Sequence, residues 1–514
     1  MTDGPARAFP PWLPWTIAAV LLSAWVARVP LEGIPHVSDE IAYTLQSRLF
    51  AAGVRVGPPG DQPSMLAYPF WVSDGASFSP FSPGWPALLA LGEAVGLPWL
   101  LNPLLAGLFC ALLWPLVREW SDARTATLAT AIAAFSPAAV ILGASRMAHT
   151  SVLVALAALL LVVVRGRDRP WAWWLAGAAA GYVVLARPFD AALLAGPMLA
   201  WGLWRRARAP DRRPSELLGL VAPPGLAAAL LLADNATLTG DALTFPMQAF
   251  YDSWVEPPRP GCERLGFGAD VGCAPTFGSW GHSPAKATQN ALRNALVLDR
   301  LLLGLPGGLA VALFGLLRAR RRAPWLLIAA VVAGYALYWS PGKAYGARFW
   351  HPMLLVLPYG VAVLAIRLQR MALPVVVAIG LTGLARALPD LSDRYWCVDG
   401  AFSDLIEREG ISSGVVFVDG VGRRPTAWPA LGTDAFACDP MLESGDALLH
   451  LDPTAQTGGL QIRHAPRDPA QRAAYLAAYH ADAAAWLARH DVAADTWVVV
   501  PLDPRTGDPP VSPD

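Results

Sequence analysis

The sequence predicts an all-α polytopic membrane protein with about eleven transmembrane helices and a small C-terminal α/β soluble domain. Three observations support this fold class. The 514 residues are 55% hydrophobic and 15% charged, with a mean hydropathy of +0.40, which is above the range of an ordinary soluble domain. Apolar segments recur along most of the chain. The last part is more polar and contains short β-like runs.

The candidate spans follow from hydropathy, because about 20 apolar residues cross a hydrocarbon core of about 30 Å. Several are short and contain proline. Pro86–Val95 is too short to span, so we expect an interfacial or re-entrant helix there. The predicted spans are Trp12–Ala27, Leu97–Val117, Ala126–Leu142, Val152–Val164, Trp171–Leu185, Ala191–Trp204, Leu217–Leu232, Leu301–Leu317, Trp325–Trp339, Pro352–Ile366 and Ala372–Leu384.

Clusters of arginine mark alternate connections between the spans. The positive-inside rule places these connections, and the N-terminus, in the cytoplasm. The loops 30–86 and 234–300 and the C-terminal domain then lie outside, as in a multi-pass protein of the bacterial inner membrane. Charges balance at 39 basic and 39 acidic residues, so no overall field favours nucleic acid. The clusters are Arg118 and Arg124; Arg165, Arg167 and Arg169; Arg205, Arg206, Arg208, Arg212 and Arg213; Arg318, Arg320, Arg321 and Arg322; and Arg367 and Arg370.

The domain division is expected near residue 389, with a transmembrane domain over 1–388 and an external α/β domain over 389–514. Strand-like runs occur at Gly414–Asp419, Ala447–Asp452 and Thr496–Pro501, and a helical stretch occurs at Pro469–His490. No Gly-rich phosphate loop of the nucleotide-binding kind is present.

The five cysteines give an independent check on the topology. Cys262 and Cys273 share an external loop, Cys397 and Cys438 share the tail, and Cys110 lies within a span. The two external pairs fit two disulfides in an oxidising compartment. Four reduced thiols without partners are the alternative.

Two adjacent carboxylates, Asp39 and Glu40, follow the first span by about ten residues and precede a run with apolar residues at helical spacing. Carboxylates beside a membrane surface are costly to desolvate unless something uses them. Asp39 near a helix N-terminus would favour its ionised, proton-accepting form. The alternative is that Ser38 or Asp39 only caps the helix.

Isolated basic residues on the outer side are notable because the positive-inside rule depletes them there. Arg187, Lys343 and Arg348 occupy such positions. A guanidinium presents a fork of donors that matches phosphate. The alternatives are pairing with a local acid, such as Asp190 for Arg187, or a side chain that reaches to the headgroups.

The histidines give no metal site. His36, His149 and His282 have no second ligand at metal-binding spacing, and each is more typical of a hydrogen-bonding residue. The sequence therefore predicts no cofactor, and a divalent metal is not readable from it.

The pattern resembles the GT-C-fold integral-membrane glycosyltransferases of the family 39-like group, which includes protein O-mannosyltransferases and lipid A aminoarabinose transferases. The resemblance covers roughly residues 10 to 370 in the order of its motifs. Some members carry a second acid in the next short external loop, where this chain has Arg146 and His149, so a two-carboxylate scheme and a metal requirement are not supported. The matching stretches are Ser38–Tyr43, Gln46–Gly53, Ser82–Pro86, Asn102–Leu105, Thr239–Leu243 and Tyr345–Phe349.

The resemblance implies an inverting transfer from a polyprenyl-phosphate sugar to a lipid, glycan or protein acceptor. It gives Asp39 the role of general base, while Glu40 orients the site or contacts substrate. Arg348 would neutralise the leaving phosphate, helped by Lys343 and Arg187. Asp39 and Arg348 should face one cavity with their tips on the order of 6 to 12 Å apart. His36, Tyr43, His149 and Tyr345 are the predicted substrate-cavity residues.

Two other interpretations remain open at the sequence level. A polytopic lipid or glycan transporter would use the acidic pair to bind cargo, although no repeated halves of the transporter type are visible. A relative that binds the carrier lipid without catalysis is the second.

Overall fold

The computed structural model describes residues 9–59, 65, 68–73, 75–165, 169–254, 257–419, 426–436, 445–450, 453, 459–491, 494 and 496–510. Helices dominate the chain up to residue 408. The helices of eight or more residues in this first part are α1 Leu13–Arg28, α2 Ser38–Ala51, α3 Gly84–Ala94, α4 Leu101–Arg118, α5 Ala123–Phe135, α6 Pro137–Ala144, α7 His149–Arg165, α8 Pro170–Ala186, α9 Gly196–Ala207, α10 Pro214–Thr239, α11 Pro284–Leu303, α12 Gly308–Ala319, α13 Ala323–Ala336, α14 Leu357–Ala365, α15 Ala372–Ser392 and α16 Ala401–Arg408.

Shorter helical segments join several of these helices. The turn Pro188–Asp190 and the π-helical segment Ala191–Ala195 lead into α9. In the second long external loop, Pro246–Ala249 continues into the π-helical segment Phe250–Trp254. A 3-10 segment, Arg348–Leu355, precedes α14. Further 3-10 segments are Pro98–Leu100, Ile366–Met371, Tyr395–Cys397 and Pro429–Leu431.

Two of the predicted spans are broken in the structure. The range Ala126–Leu142 divides at Ser136 into α5 and α6, which meet at 53° because Pro137 cannot continue the hydrogen bonds of α5. The range Leu301–Leu317 divides into α11 and α12, bent by 85°. Gly304 and Gly307 have φ of 75° and 94° there, which ends one helix and starts the next.

Long apolar helices support a multi-pass membrane protein. By length and hydropathy, three ranges can cross a membrane: Pro98–Arg118, Pro214–Thr239 and Leu357–Cys397. The number is up to five if each bent pair counts as one span, and α1, α7, α8 and α13 are shorter apolar helices. These figures concern only the described residues, and the number of about eleven spans stays a prediction.

The described C-terminal part contains six strands and two helices between them. The strands are β1 Gly414–Asp419, β2 Thr426–Trp428, β3 Thr433–Phe436, β4 Leu460–His464, β5 Ala485–Asp491 and β6 Thr496–Pro501, and the helices are Gly445–Leu448 and α17 Pro469–Tyr479. Four of the strands form a sheet in the order β4-β1-β5-β6. Strand β1 is parallel to β4 and β5, and β6 is antiparallel to β5. A separate pair, β2 with β3, is antiparallel.

The predicted elements of this C-terminal part are only partly correct. Gly414–Asp419 and Thr496–Pro501 are strands. The strand expected at Ala447–Asp452 is wrong over its described part, since Gly445–Leu448 is helical; residues 451 and 452 lie outside the described residues. The helix expected over Pro469–His490 ends at Tyr479, because the following residues pair with β1 as strand β5. The composition of Ala485–Asp491 suits a helix, and pairing in the sheet overrides that preference.

Helix α2 connects the helical bundle to the sheet. Tyr43 packs in the large core of the bundle, whereas Ile41, Leu45 and Leu49 pack in a second core with residues of the sheet such as Val416 and Ile462. Since part of the sheet's core is supplied by α2, the C-terminal segment braces that helix. The domain boundary at residue 389 stays a prediction.

Disulfides occur in both predicted regions. Cys262 and Cys273 are joined, with their Cα atoms 4.9 Å apart. Cys397 is disulfide-bonded, and its predicted partner, Cys438, lies outside the described residues. Cys110 is a buried free thiol.

Candidate active site

The first turn of α2 separates the roles of the two adjacent carboxylates. Glu40 is fully buried and its carboxylate accepts hydrogen bonds from the backbone N–H groups of His36 and Val37, both at 3.0 Å. This satisfies two backbone donors just before the helix. Asp39 is not needed as a cap, and its side chain is free to face another direction.

Further donors converge on Glu40 from distant parts of the chain. The hydroxyl of Tyr345 donates at 2.8 Å, and the backbone N–H of Arg146 donates to the other oxygen. The ring of His36 bonds to the backbone carbonyls of Leu31, Tyr395 and Val398. Four donors around one buried carboxylate satisfy its acceptor oxygens and fix the start of α2.

Residues of two sequence motifs hold the turn that carries Arg146. Trp85 donates its ring N–H to the carbonyl of Arg146 at 2.7 Å, and the amide of Asn102 donates to the carbonyls of Ser145 and Met147 at 2.6 and 2.8 Å. The guanidinium of Arg146 bonds back to Thr44 and to the carbonyl of Gly33. The motifs around Trp85 and Asn102 therefore support the first turn of α2 through this connection.

Arg348 reaches the site through a tight turn. Tyr345 and Gly346 have φ of 55° and 87°, and a Cβ atom on Gly346 would lie 2.6 Å from Leu301, so only glycine fits there. The turn directs Tyr345 inward to Glu40 and places Arg348 beside Asp39. Nη1 of Arg348 lies 2.8 Å from Oδ2 of Asp39.

The expected separation of the two charged tips is therefore wrong: we predicted roughly 6 to 12 Å to leave room for a sugar, and the groups form a direct ion pair. The physical reason is that two opposite charges with little exposure attract each other strongly when no third charge is between them. Both side chains are only about one-seventh exposed, at 14% for Asp39 and 13% for Arg348.

Arg187 forms a second ionic cluster next to the first. It is paired with Asp190, as the alternative interpretation of the sequence anticipates, and it donates to the hydroxyl of Tyr335 at 2.9 Å. Tyr335 in turn donates to Asp190 at 2.6 Å. The Phe349 ring contacts both guanidinium groups, with centroids 5.6 Å from Arg187 and 5.2 Å from Arg348.

The two arginines and Asp39 line one cavity of about 490 Å³. This volume is in the range of small-molecule sites. Every lining residue belongs to a connection that the sequence places outside, or to a span end beside one. The remaining lining residues are Tyr43, Phe70, Pro80, Phe81, Ser82, Ala186, Pro188, Phe189, Phe245, Pro246, Met247, Gln248, Tyr251, Glu263, Leu265, Tyr335, Tyr338, Trp339, Ser340 and Phe349.

The structure thus brings together four of the predicted site residues: Asp39, Tyr43, Arg187 and Arg348. Five others do not line this cavity. Glu40 lies inside the protein, where it orients α2 but has no contact with the cavity. Lys343 also lies away from the cavity lining, and its backbone carbonyl accepts from Thr433.

The remaining three corrections concern aromatic and histidine side chains. His36 and Tyr345 are buried beneath α2 because they complete the hydrogen bonds around Glu40 and the chain before it. His149 is buried and stacks on Phe349, with ring centroids 6.1 Å apart. They lie behind the cavity wall and do not form its surface.

Several cavity residues were missed by sequence reasoning. Glu263 follows Cys262 directly. Tyr335 lies in the last turn of α13, and Tyr338 and Trp339 follow the end of that helix. A signal existed for the glutamate, since it adjoins a predicted disulfide in an external loop. The aromatic residues carried none, because tyrosine and tryptophan are expected at the interface ends of any membrane helix.

Among the residues that the structure describes, no group of three or more His, Cys, Asp or Glu side chains is arranged to hold a metal ion. The expectation that no cofactor is required stays a prediction.

Comparisons with protein families and with solved structures both find matches to this chain. The family described as dolichyl-phosphate-mannose-protein mannosyltransferase matches residues 88–230. This range contains α4 to α9 and most of α10, including Asn102 and Arg187, and lies between Asp39 and Arg348 in the chain. A search of curated proteins finds no match to this sequence.

Solved structures match this chain at low sequence identity. ArnT from Cupriavidus metallidurans, solved with bound undecaprenyl phosphate, matches with a TM-score of 0.52 and 13% identity over 94% of each chain. The oligosaccharyltransferase AglB from Archaeoglobus fulgidus matches with a TM-score of 0.39 and 15% identity, over 74% of this chain and 56% of AglB. The family match and the shared fold confirm the resemblance of this chain to the GT-C-fold, family 39-like membrane glycosyltransferases.

Proposed function

We propose that this protein is an inverting glycosyltransferase that moves a sugar from a polyprenyl-phosphate carrier to an envelope acceptor at the outer face of the bacterial inner membrane. The observation that carries the proposal is the cavity in which a carboxylate, Asp39, and two guanidinium groups, Arg348 and Arg187, share one surface. A proton acceptor and phosphate-binding groups are the two functions that such a transfer requires.

The direct ion pair between Asp39 and Arg348 is compatible with this mechanism, because the donor phosphate can replace Asp39 as the partner of Arg348. A donor phosphate near Arg348 competes with Asp39 for the guanidinium, and the fork geometry suits phosphate at least as well as carboxylate. Within the described part of the chain, the Nε of Arg348 has no hydrogen-bond partner, so the guanidinium keeps a donor for a ligand. Donor binding then releases the Asp39 carboxylate for the acceptor.

The transfer step balances with these groups. The acceptor hydroxyl oxygen attacks the anomeric carbon from the face opposite the phosphate, and its proton passes to Asp39. The bond between the anomeric carbon and the phosphate oxygen breaks, and its electron pair stays on the phosphate. Arg348, with Arg187 nearby, stabilises the additional negative charge. Attack opposite the leaving group inverts the anomeric configuration.

An apolar side of the cavity supports a lipid-linked donor. Phe245, Met247 and Leu265 line it, and Phe245 and Leu265 are also 40% and 51% exposed. Exposed apolar side chains at a cavity mouth suit contact with lipid more than with water. ArnT, which shares the fold, is a structure with bound undecaprenyl phosphate. We infer that the carrier chain stays in the bilayer while its phosphate enters here.

The outer-face location rests on the basic connections and the cysteines. All cavity residues belong to the side opposite the arginine clusters, and the disulfide Cys262–Cys273 fits an oxidising compartment. Reporter fusions placed after Arg213 and after Pro389 should fall on opposite sides of the membrane. Fusions on the same side would contradict this orientation.

The direct test compares envelope glycoconjugates by mass spectrometry in cells with the protein, without it, and with Asp39→Asn. We expect one glycan addition to disappear in the last two. A polytopic lipid or glycan transporter, or a non-catalytic carrier-binding protein, is the alternative. If Asp39→Asn leaves the addition intact while Arg348→Ala still abolishes carrier binding, the catalytic proposal is wrong and the carrier-binding alternative gains.

A further inference from the structure

Glu263 lies in a loop that lines the cavity and that has no role in the transfer described above. The disulfide Cys262–Cys273 closes this loop, and the N–H of Gly272 donates to the carbonyl of Cys262 at 2.8 Å. The N–H of Gly266 donates to the carbonyl of Leu337 at 2.8 Å, and a ring nitrogen of His282 lies 3.0 Å from the carbonyl of Ala336. These contacts fix the loop against the end of α13.

The Glu263 carboxylate is held in one orientation by aromatic donors. The hydroxyl of Tyr338 donates to Oε1 at 2.8 Å and the ring N–H of Trp339 donates to Oε2 at 2.9 Å. Each carboxylate oxygen thus has one strong donor and keeps acceptor capacity on the side of the cavity. Burial raises the pKa of Glu263. Among the described residues, no Lys or Arg lies within ion-pair distance of it.

Glu263, Tyr251 and Asp39 line the same cavity. Burial raises the pKa of Tyr251, and the charges of Glu263 and Asp39 raise it further. Tyr251, Tyr338 and Trp339 all line the cavity there, as do the neutral polar side chains Gln248 and Ser340. Among the described lining residues the cations are Arg187 and Arg348, which are paired with Asp190 and Asp39 and not with Glu263.

We infer that Glu263, oriented by Tyr338 and Trp339, binds hydroxyl groups of the transferred sugar. This inference rests on the proposed function and extends it from the phosphate to the sugar. A carboxylate accepts two neighbouring hydroxyl groups well, and aromatic rings beside it pack against the apolar C–H face of a sugar. When a neutral sugar binds, its hydroxyl groups donate hydrogen bonds to the partly desolvated carboxylate of Glu263. An apolar ligand would provide no donors for this carboxylate.

The test measures equilibrium binding to the purified full chain in detergent. The probes are undecaprenyl phosphate without sugar and undecaprenyl phosphate that carries mannose, arabinose or 4-amino-arabinose. The wild type should bind at least one neutral sugar probe more tightly than the bare carrier. Glu263→Gln keeps the shape of the side chain, and we expect it to weaken that probe about tenfold or more, as for a lost hydrogen bond to a charged group.

Binding of the bare carrier shows whether Glu263 forms a sugar subsite or has only a structural role, because the bare carrier lacks only the sugar. Glu263→Gln should leave its affinity unchanged. Asp270→Asn is the matched control: it removes a carboxylate of the same loop that is exposed and paired with Arg264, and it should change neither affinity. Equal weakening of the bare and sugar-bearing probes by Glu263→Gln, or no weakening, would overturn the inference.

Other outcomes would show whether the hydroxyl assignment, the sugar subsite or the proposed function is wrong. A loss confined to 4-amino-arabinose would overturn the hydroxyl assignment, since it would indicate an ion pair with an ammonium group. A wild type that binds the bare carrier and all three sugar probes equally would remove the sugar subsite while leaving the carrier site intact. A wild type that binds no carrier, or an Arg348→Ala variant that binds the bare carrier normally, would instead contradict the proposed function.

Discussion

The two walls of the cavity are built in different ways. The wall with Asp39 and Arg348 is part of the protein core: α2 is fixed by the buried Glu40, and Arg348 follows a turn that only Gly346 permits. The opposite wall, with Glu263, is a loop outside the bundle that depends on the disulfide Cys262–Cys273. The first wall carries the opposite charges, and the second carries aromatic rings around a single carboxylate.

This difference suggests a division between reaction and selection. Groups that accept a proton and hold a phosphate must keep their geometry for any sugar, so a buried network suits them. Groups that distinguish sugars are better placed on a loop, where sequence changes do not disturb the core. Variants in the first wall should therefore affect turnover or folding, and variants in the second should affect substrate preference.

The largest effect is expected from Asp39→Asn. The amide cannot accept the acceptor's proton, and general bases typically contribute about 10²- to 10⁴-fold to a rate. Transfer by the purified variant should fall by that factor in kcat. The variant should still fold because Glu40, not Asp39, caps α2, while the loss of the ion pair with Arg348 lowers the midpoint of thermal unfolding. A variant with near-normal turnover would show that Asp39 is not the base.

The second largest effect is expected from Arg348→Ala. Its kcat/KM should fall by about 10²- to 10³-fold, as when one charge-stabilising donor is removed from an active site. Arg348→Lys should retain part of the activity because the charge remains while the fork of donors is lost. Initial rates at several donor concentrations provide the measurement. Equal rates for the two variants would exclude a role for the guanidinium.

Glu40→Ala tests the supporting part of the same wall. It leaves the N–H groups of His36, Val37 and Arg146 and the hydroxyl of Tyr345 without their acceptor, and each buried unpaired group costs about 1 to 3 kcal/mol. We expect a marked fall in the midpoint of thermal unfolding. Glu409→Ala, at an exposed glutamate, is the control and should unfold like the wild type. Normal stability of Glu40→Ala would contradict the capping role.

On the wall that contains Glu263, Cys262→Ser should have a smaller effect on transfer, and it should change KM more than kcat. Closure of a short loop by a disulfide contributes up to about 3 kcal/mol, mostly through the unfolded chain. The bundle should stay folded, while the looser loop positions Glu263 less well and raises KM for the donor more than it lowers kcat. Steady-state kinetics measure this split. A pure loss of kcat would place the loop in the reaction itself.

The smallest effect concerns a region outside both walls. Burial raises the pKa of Asp446 to about 7, and Ser403 donates to it from its hydroxyl at 2.6 Å and its N–H at 2.9 Å. A carboxyl group with a raised folded pKa stabilises the fold at low pH and loses that contribution as the pH rises through about 7. The unfolding midpoint should therefore fall by a few degrees between acidic and alkaline buffers.

Asp446→Asn should flatten this pH dependence and leave transfer at neutral pH unchanged, since Asp446 lies outside the cavity. An unchanged pH profile in the variant would show that another group is responsible.

Much of the architecture is predictable because its causes are local. Hydropathy marks the apolar helices, the arginine clusters indicate an orientation, and the start of α2 at Ser38 follows from the acidic pair. The failures share one cause. Ala485–Asp491 looks helical until it pairs with β1, and Ala447–Asp452 has a strand-like composition although Gly445–Leu448 is helical. In both, contacts with distant segments outweigh local preference.

The sequence by itself determined which residue types are available for chemistry on the outer side: the adjacent acids, the isolated arginines and the paired cysteines. Only the tertiary structure decided their roles. Asp39 and Glu40 are neighbours in the chain, yet successive side chains on a helix point about 100° apart, so one faces the cavity and the other faces the core. Glu263 joins Asp39 across about 220 residues because the fold, through the disulfide loop and α13, brings that loop to the cavity.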